Sequence, residues 1–203
     1  MSQNKILYTV LTWIVRPILW LFFPYKVYGK ENIKNLNYGH ILCPNHLSNI
    51  DPIFLAVTYP YRICFMAKSE LFKNKFFGKF LNAIGVFAVK RGKSDEKAIE
   101  EAENILKSGK VLGIFIEGTR SKTGEFLRPK SGAAVLAHKS NVKIVPVCIT
   151  GNSKDNKIHI FKKTIIKFNA PITPEELNIK ENSRLEIKSA TNLIMSKIKE
   201  MRD

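Results

Sequence analysis

His46 and Asp51 stand five residues apart in Asn45-His46-Leu47-Ser48-Asn49-Ile50-Asp51-Pro52. A histidine whose far ring nitrogen donates to a carboxylate is fixed in one tautomer and becomes a stronger general base, able to take a proton from a hydroxyl. Two further polar clusters follow apolar runs, Lys90-Arg91-Gly92 and Glu117-Gly118-Thr119-Arg120-Ser121. Arg91 and Arg120 can fork onto phosphate oxygens, and Gly118 lets backbone N–H groups approach the same anion. No G-x-S-x-G elbow supplies a serine nucleophile in the chain, so the activated hydroxyl is better sought on a substrate. A base for a hydroxyl beside a phosphate site describes a phosphate-bearing alcohol being made into a nucleophile.

Each residue also has a structural explanation. Asp51 before Pro52 suits a helix N-cap followed by an N1 proline, and one carboxylate oxygen could cap while the other holds the imidazole. His46 could bond to backbone, Lys90-Arg91 could be a solvated strand end, and Gly118-Thr119-Arg120 could be an ordinary turn. What favours chemistry is where the clusters fall.

Short apolar runs at 41–43, 62–67, 85–89, 111–116 and 144–149 alternate with helical patterns. The spacing predicts a helix over 95–107, with Ser94 as cap and Gly109 past its end. It predicts another from the capping box Ser183-Arg184-Leu185-Glu186, and Thr173-Pro174-Glu175-Glu176 is a second box. Strands separated by helices require crossovers, hence an α/β domain with a mostly parallel central sheet flanked by helices. The runs 158–160 and 164–168 are expected to form a terminal hairpin. The three polar clusters then all sit at strand carboxyl ends, the edge where α/β sheets bind ligands.

With 203 residues, 45% of them hydrophobic, the chain fills one sizeable core. It divides into an N-terminal segment, 1–30, and a domain over 31–203. The formal net charge of +16 favours an anionic partner. Cys43, Cys64 and Cys148 lie in apolar runs without metal-site spacing and read as reduced core residues.

The first thirty residues are apolar and aromatic, and no acid precedes Glu31. Arg16-Pro17 interrupts them, whereas a spanning helix needs about 20 continuous apolar residues. An interfacial anchor fits, with Trp and Tyr at headgroup level. Helices packed on the domain's own core, or one kinked span, are the other readings.

Four blocks together resemble the motifs of the glycerolipid acyltransferases: Asn45 to Asp51, Gly85-Val86-Phe87-Ala88-Val89-Lys90-Arg91, Phe115-Ile116-Glu117-Gly118-Thr119-Arg120-Ser121 and Ile144-Val145-Pro146-Val147. The likeness covers about residues 40 to 150 and is greatest to the members that acylate 1-acyl-sn-glycerol-3-phosphate. It implies that His46 and Asp51 are the catalytic pair. It implies that Arg91, Glu117, Gly118, Thr119 and Arg120 shape the glycerophosphate site, with Pro146 on the acyl-donor side. The implied reaction moves a fatty acyl group from an acyl thioester, acyl-CoA or acyl-carrier protein, to the free hydroxyl of a lysophospholipid, yielding phosphatidic acid for phospholipid synthesis. No further cofactor and no metal are implied. Ile116 stands where family members often have proline, and Leu47 replaces a commonly polar residue.

The stretch from Tyr61 to Lys93 is rich in cations, and Phe72, Phe76, Phe77, Phe80 and Leu81 recur in it at helical spacing. It suits a membrane phospholipid surface on the cytoplasmic face, bound in a peripheral or monotopic way, or a core-packed helix with a solvated basic face. Nucleic acid is the rival partner, but no nucleic-acid-binding motif accompanies the charge. Metal-dependent phosphoester hydrolysis through His46, Asp51 and Glu117 is the rival enzyme reading, and no second ligand cluster accompanies it.

Overall fold

Successive residues of a strand point to opposite faces of its sheet, and in this chain both sets are apolar, so both faces must be covered. The computed structural model describes residues 5–36, 39–89 and 96–202. Its elements are α1 (Lys5–Phe22), β1 (Tyr25–Tyr28), β2 (His40–Pro44), α2 (Asp51–Thr58), β3 (Ile63–Lys68), α3 (Lys75–Ala83), β4 (Val86–Val89), α4 (Glu96–Lys107), β5 (Val111–Gly113), α5 (Gly132–Ser140), β6 (Ile144–Gly151), β7 (Thr164–Phe168), α6 (Pro174–Leu177) and α7 (Arg184–Glu200). Ile41, Cys43, Leu112 and Ile144 pack with Ala102 of α4, Ala137 of α5 and Ile194 of α7. Leu42, Ile63, Val111 and Val145 pack on the other face with Leu19 of α1 and Phe54 and Leu55 of α2.

The sheet runs β1-β7-β6-β2-β5-β3-β4. β6, β2, β5, β3 and β4 are parallel, β7 is antiparallel to β6, and β1 lies parallel to β7. This is the expected single α/β domain with a mostly parallel sheet. β7 takes β6 as its antiparallel partner, and residues 158–160 form no strand, which corrects the expected hairpin. The pairing partner for 164–168 was the longer apolar strand already in the sheet. Both expected capping boxes are present, at Thr173 and Ser183. Ser94, Asp95 and the cations Lys90, Arg91 and Lys93 lie outside the described residues.

The N-terminal segment departs from its sequence reading in two ways. α1 is continuous through Pro17, although proline there forgoes a helical hydrogen bond. The adjacent Arg16 guanidinium donates to Val57 O at 2.7 Å, and Leu19 is buried, so tertiary contacts hold α1 across the interruption. Tyr25–Tyr28, assigned by sequence to the N-terminal segment, is an edge strand of the sheet. Among the described residues no helix is long and apolar enough to cross a membrane.

Two features of the central strands bear directly on the site. The ladder between β2 and β6 is prolonged by the buried Asn45 side chain, whose Nδ2 donates to Ile149 O at 2.9 Å while its Oδ1 accepts from Ile149 N at 2.7 Å. In β5, a Cβ on Gly113 would meet the Phe65 ring at 2.4 Å. Glycine is what lets that ring lie across the strand.

Candidate active site

β2 ends at Pro44, and the chain turns through His46 into α2 at the carboxyl edge of the sheet. His46 Nδ1 and Asp51 Oδ2 are 2.7 Å apart. The same oxygen accepts the amides of Leu47 at 2.7 Å and Ser48 at 2.8 Å, so the carboxylate closes the loop on itself. Asp51 is the first residue of α2, with Ile50 at the N-cap and no side-chain cap hydrogen bond. The division of labour expected from sequence, one oxygen capping and one holding the ring, is therefore corrected. Oδ2 does the holding and Oδ1 is buried without a hydrogen bond.

An aromatic column fixes the other side of the imidazole. The His46 ring stacks on Phe115 with centroids 3.9 Å apart, and Phe115 stacks on Phe65 at 6.1 Å. Phe65 in turn occupies the space that Gly113 leaves open. With Nδ1 engaged by Asp51 and the ring face covered, Nε2 is the nitrogen available as a base, and the side chain keeps 12% of its surface exposed.

The segment after β5 comes to the same place. Ile114 N donates to Leu42 O and Ile116 N to Pro44 O, so bonding to β2 continues beyond the strand proper. Ser121 N then donates to His46 O at 2.8 Å, tying the third motif to the first. Glu117 lies between them, 1% exposed. Burial pushes its carboxyl from the ordinary 4.5 up to about 7; nearby amides of Leu127 and His46 lower it, and the Asp51 charge raises it further. Those amides offset little, because neither carboxyl oxygen has a hydrogen bond of ordinary geometry. Gly118 turns the chain at φ +67°, a left-handed conformation natural to glycine. Thr119 and Arg120 are exposed beyond it.

Not every candidate converges. Pro146 is buried within β6, paired with Cys43 of β2, so it belongs to the sheet below the site. Arg91 lies outside the described residues. Cys43 is fully buried, and burial pushes its thiol up, which disfavours the thiolate that nucleophilic chemistry needs. Among the described residues no group of three or more His, Cys, Asp or Glu side chains is placed to hold a metal ion. Phe115 and Asn45 are the functional neighbours that residue-type reasoning passed over. Asn45 carried one signal, a polar side chain directly after a wholly apolar strand.

An apolar cavity of about 230 Å³ opens beside the pair, among Leu11 and Val15 of α1, Pro52 and Ile53 of α2, Phe65 and Phe80. It touches the site through Pro52, next to Asp51, and through Phe65 of the aromatic column.

Residues 24–150 match the Acyltransferase family. The chain is 38% identical over 143 residues to the 1-acyl-sn-glycerol-3-phosphate acyltransferase of Bacillus subtilis, covering 70% of this chain and 69% of that one. It is 34% identical over 151 residues to the protein of the same name from Streptococcus pneumoniae, covering 73% and 56%. With the protein of that name from Saccharomyces cerevisiae the identity is 34% over 162 residues, covering 75% and 52%. The matched part thus spans from about half to about two-thirds of these relatives. In fold, the chain superposes on the crystal structure of the 1-acyl-sn-glycerophosphate (LPA) acyltransferase PlsC from Thermotoga maritima. The TM-score is 0.70 at 24% identity, covering 100% of this chain and 84% of that one.

The Glu117 environment has a measurable consequence. With its acidity moved from 4.5 to about 7 on folding, the native state binds more protons than the unfolded state between those values. The Glu117 contribution to stability is therefore fully present below about pH 4.5 and declines as pH rises to about 7. Glu117→Gln should abolish up to about 3 kcal/mol of that decline. Denaturant unfolding of both proteins at about pH 5 and about pH 8 checks it. An equal decline in the variant would assign the proton to another group.

Proposed function

The chain belongs to the acyltransferase family, and from that premise we propose that it transfers a fatty acyl group from an acyl thioester to the free hydroxyl of 1-acyl-glycerol-3-phosphate, forming phosphatidic acid for phospholipid synthesis. The observation that carries this reading is the 2.7 Å contact of His46 Nδ1 with Asp51 Oδ2, at the sheet edge shared with the third motif. Nε2 takes the proton of the acceptor hydroxyl, and its oxygen attacks the thioester carbonyl. The tetrahedral intermediate collapses, the C–S bond breaks, and the departing thiolate takes the proton back from the imidazolium. Acceptor hydroxyl and thioester together make the ester and the free thiol, with no acyl group passing through the protein.

Arg120, with Arg91, receives the acceptor phosphate. Glu117 is suited to that neighbourhood because a carboxyl pushed up to about 7 is often neutral and repels a phosphate less than a carboxylate would. The apolar cavity between α1 and α2 gives an acyl chain a dry lining next to the catalytic pair.

The lipid acceptor is drawn from a bilayer on whose cytoplasmic leaflet α1 rests. Trp13 is 80% and Trp20 61% exposed on that helix, together with Ile6, Val10, Ile14, Ile18 and Leu21, a stripe no other element covers among the described residues. Aromatic and aliphatic residues without an acid suit the interface. Phe76 and Phe80 of α3 are exposed as well, beside Lys73, Lys75 and Lys79, and extend the same kind of surface.

His46→Ala should lower turnover by about 10²–10⁴-fold while the protein stays folded, and Asp51→Asn should lose activity by misholding the tautomer. Steady-state acylation of 1-acyl-glycerol-3-phosphate measures both. Near-normal turnover in folded His46→Ala would sink the mechanism.

Deleting 1–28 would remove the edge strand β1 and the buried Leu19, so surface substitutions test docking more cleanly. Trp13→Glu with Trp20→Glu should weaken binding to anionic phospholipid vesicles by about tenfold and raise KM for a long-chain acceptor more than for a short, soluble one. Single-stranded DNA should not compete with the vesicles. Unchanged vesicle affinity would move the docking surface to α3.

A further inference from the structure

A second cavity, about 520 Å³, lies between residues 128–131 and the first turns of α7. It belongs to the face covered by α4, α5 and α7, away from α1. Four cations line it, Arg128, Lys130, Arg184 and Lys188, and no acid does. All four are exposed, and none of them is in an ion pair among the described residues. The nearby Glu186 makes no ion pair with them among the described residues, and its carboxylate is turned to the amides of Ser183, Glu181 and Lys180.

The placement is unfavourable for the free protein. Arg184 and Lys188 are like charges one helical turn apart. Arg184 is the first residue of α7, at the end of the helix dipole that disfavours a cation. Lys130 precedes α5, whose N-terminus no side chain caps. An anionic partner relieves all of these at once. Between the α7 cations Leu185 stands 78% exposed, an apolar contact point ringed by charge.

The surface also communicates with the site. Lys130 N donates to Ile116 O at 2.7 Å, and Ser121 N donates to His46 O, so the 117–130 loop has this cavity at one end and the catalytic histidine at the other. Resting on the acyl-transfer reading, we infer that this face docks an acidic carrier protein, which delivers the acyl thioester on a flexible arm across the 117–121 turn. Exposed cations around a protruding leucine suit a transient protein contact. The overall charge of +16 adds long-range attraction for an acidic partner.

The test uses the full chain and the double variant Arg184→Glu with Lys188→Glu, its folding checked by thermal melting. Acyl-acyl-carrier protein and acyl-CoA serve as alternative donors, and carrier-protein binding is also measured directly by fluorescence anisotropy. The variant should bind the carrier protein about tenfold more weakly and show a matching rise in carrier-donor KM. Its KM for acyl-CoA and for the acceptor should stay within about twofold of the parent's, and added salt should weaken carrier binding by the parent protein. Unchanged carrier binding in the folded variant overturns the proposal, as does a parent protein that binds no carrier. An equal rise in acyl-CoA KM also overturns it, by making the face a shared phosphate site, and a rise in acceptor KM alone makes it a lipid phosphate site. Failure of the acyl-transfer reading looks different: the parent would turn over neither donor, while the direct binding measurement would still report on this face.

Discussion

One oxygen atom, Asp51 Oδ2, accepts hydrogen bonds from the Leu47 and Ser48 amides and lies 2.7 Å from His46 Nδ1. Charge-assisted contacts of this kind are about twice as strong as neutral ones, and here they are made out of water, since Asp51 is wholly buried. The loop from β2 to α2 consequently has little freedom. Its near end is clamped to β6 by Asn45, its far end is the start of α2, and the carboxylate draws the middle inward. The rest of the fold serves to bring other groups to this loop: β5 and its extension deliver Phe115 and Glu117, and the Ser121 amide bonds the His46 carbonyl. The imidazole is thus held by a hydrogen bond in its plane and by a ring stacked on its face.

Much of this was legible in the sequence because it depends on local rules. Alternating apolar runs and helical patterns gave the parallel sheet, and polar residues at strand ends marked the sheet edge where His46, Asp51 and Glu117 come together. The two capping boxes at Thr173 and Ser183 could be read directly, since their hydrogen bonds span three residues. What escaped depends on partners distant in the chain. Tyr25–Tyr28 is a strand only because β7 offers it an edge, and α1 runs through Pro17 only because Val57 O and the surrounding core hold it. The aromatic column behind His46 draws on Phe65, Gly113 and Phe115, three residues with no local signature. Asp51 resembled an N-cap because its sequence neighbours suit one, but the turn closed by its own loop amides took precedence.

Charge and burial divide the surface into different chemistries. On the side of α1 and α2, exposed tryptophans and an apolar cavity adjoin the catalytic loop. On the side of α5 and α7, four cations that form no ion pair among the described residues surround a polar cavity. The site lies at the sheet edge between these sides, so a lipid could approach from one and a water-soluble donor from the other without crossing. Glu117 sits at that junction, and its weakened acidity follows from burial beside Asp51 with no ordinary hydrogen bond to hold a charge. The column of Phe65, Phe115 and His46 links the apolar side to the reacting nitrogen.

The central claim is that Asp51 holds His46 with Nδ1 protonated and Nε2 free to act as a base, and nitrogen NMR of the histidine rings tests it most directly. In mildly alkaline buffer, with the four histidines labelled and His46 assigned by its loss in His46→Gln, Nδ1 should carry the proton and Nε2 should not. The Nδ1 proton should resonate far downfield through its bond to Asp51 and lose that shift in Asp51→Asn. A His46 protonated at Nε2 with a bare Nδ1 would contradict the account, because the base nitrogen would then face the buried loop instead of the substrate.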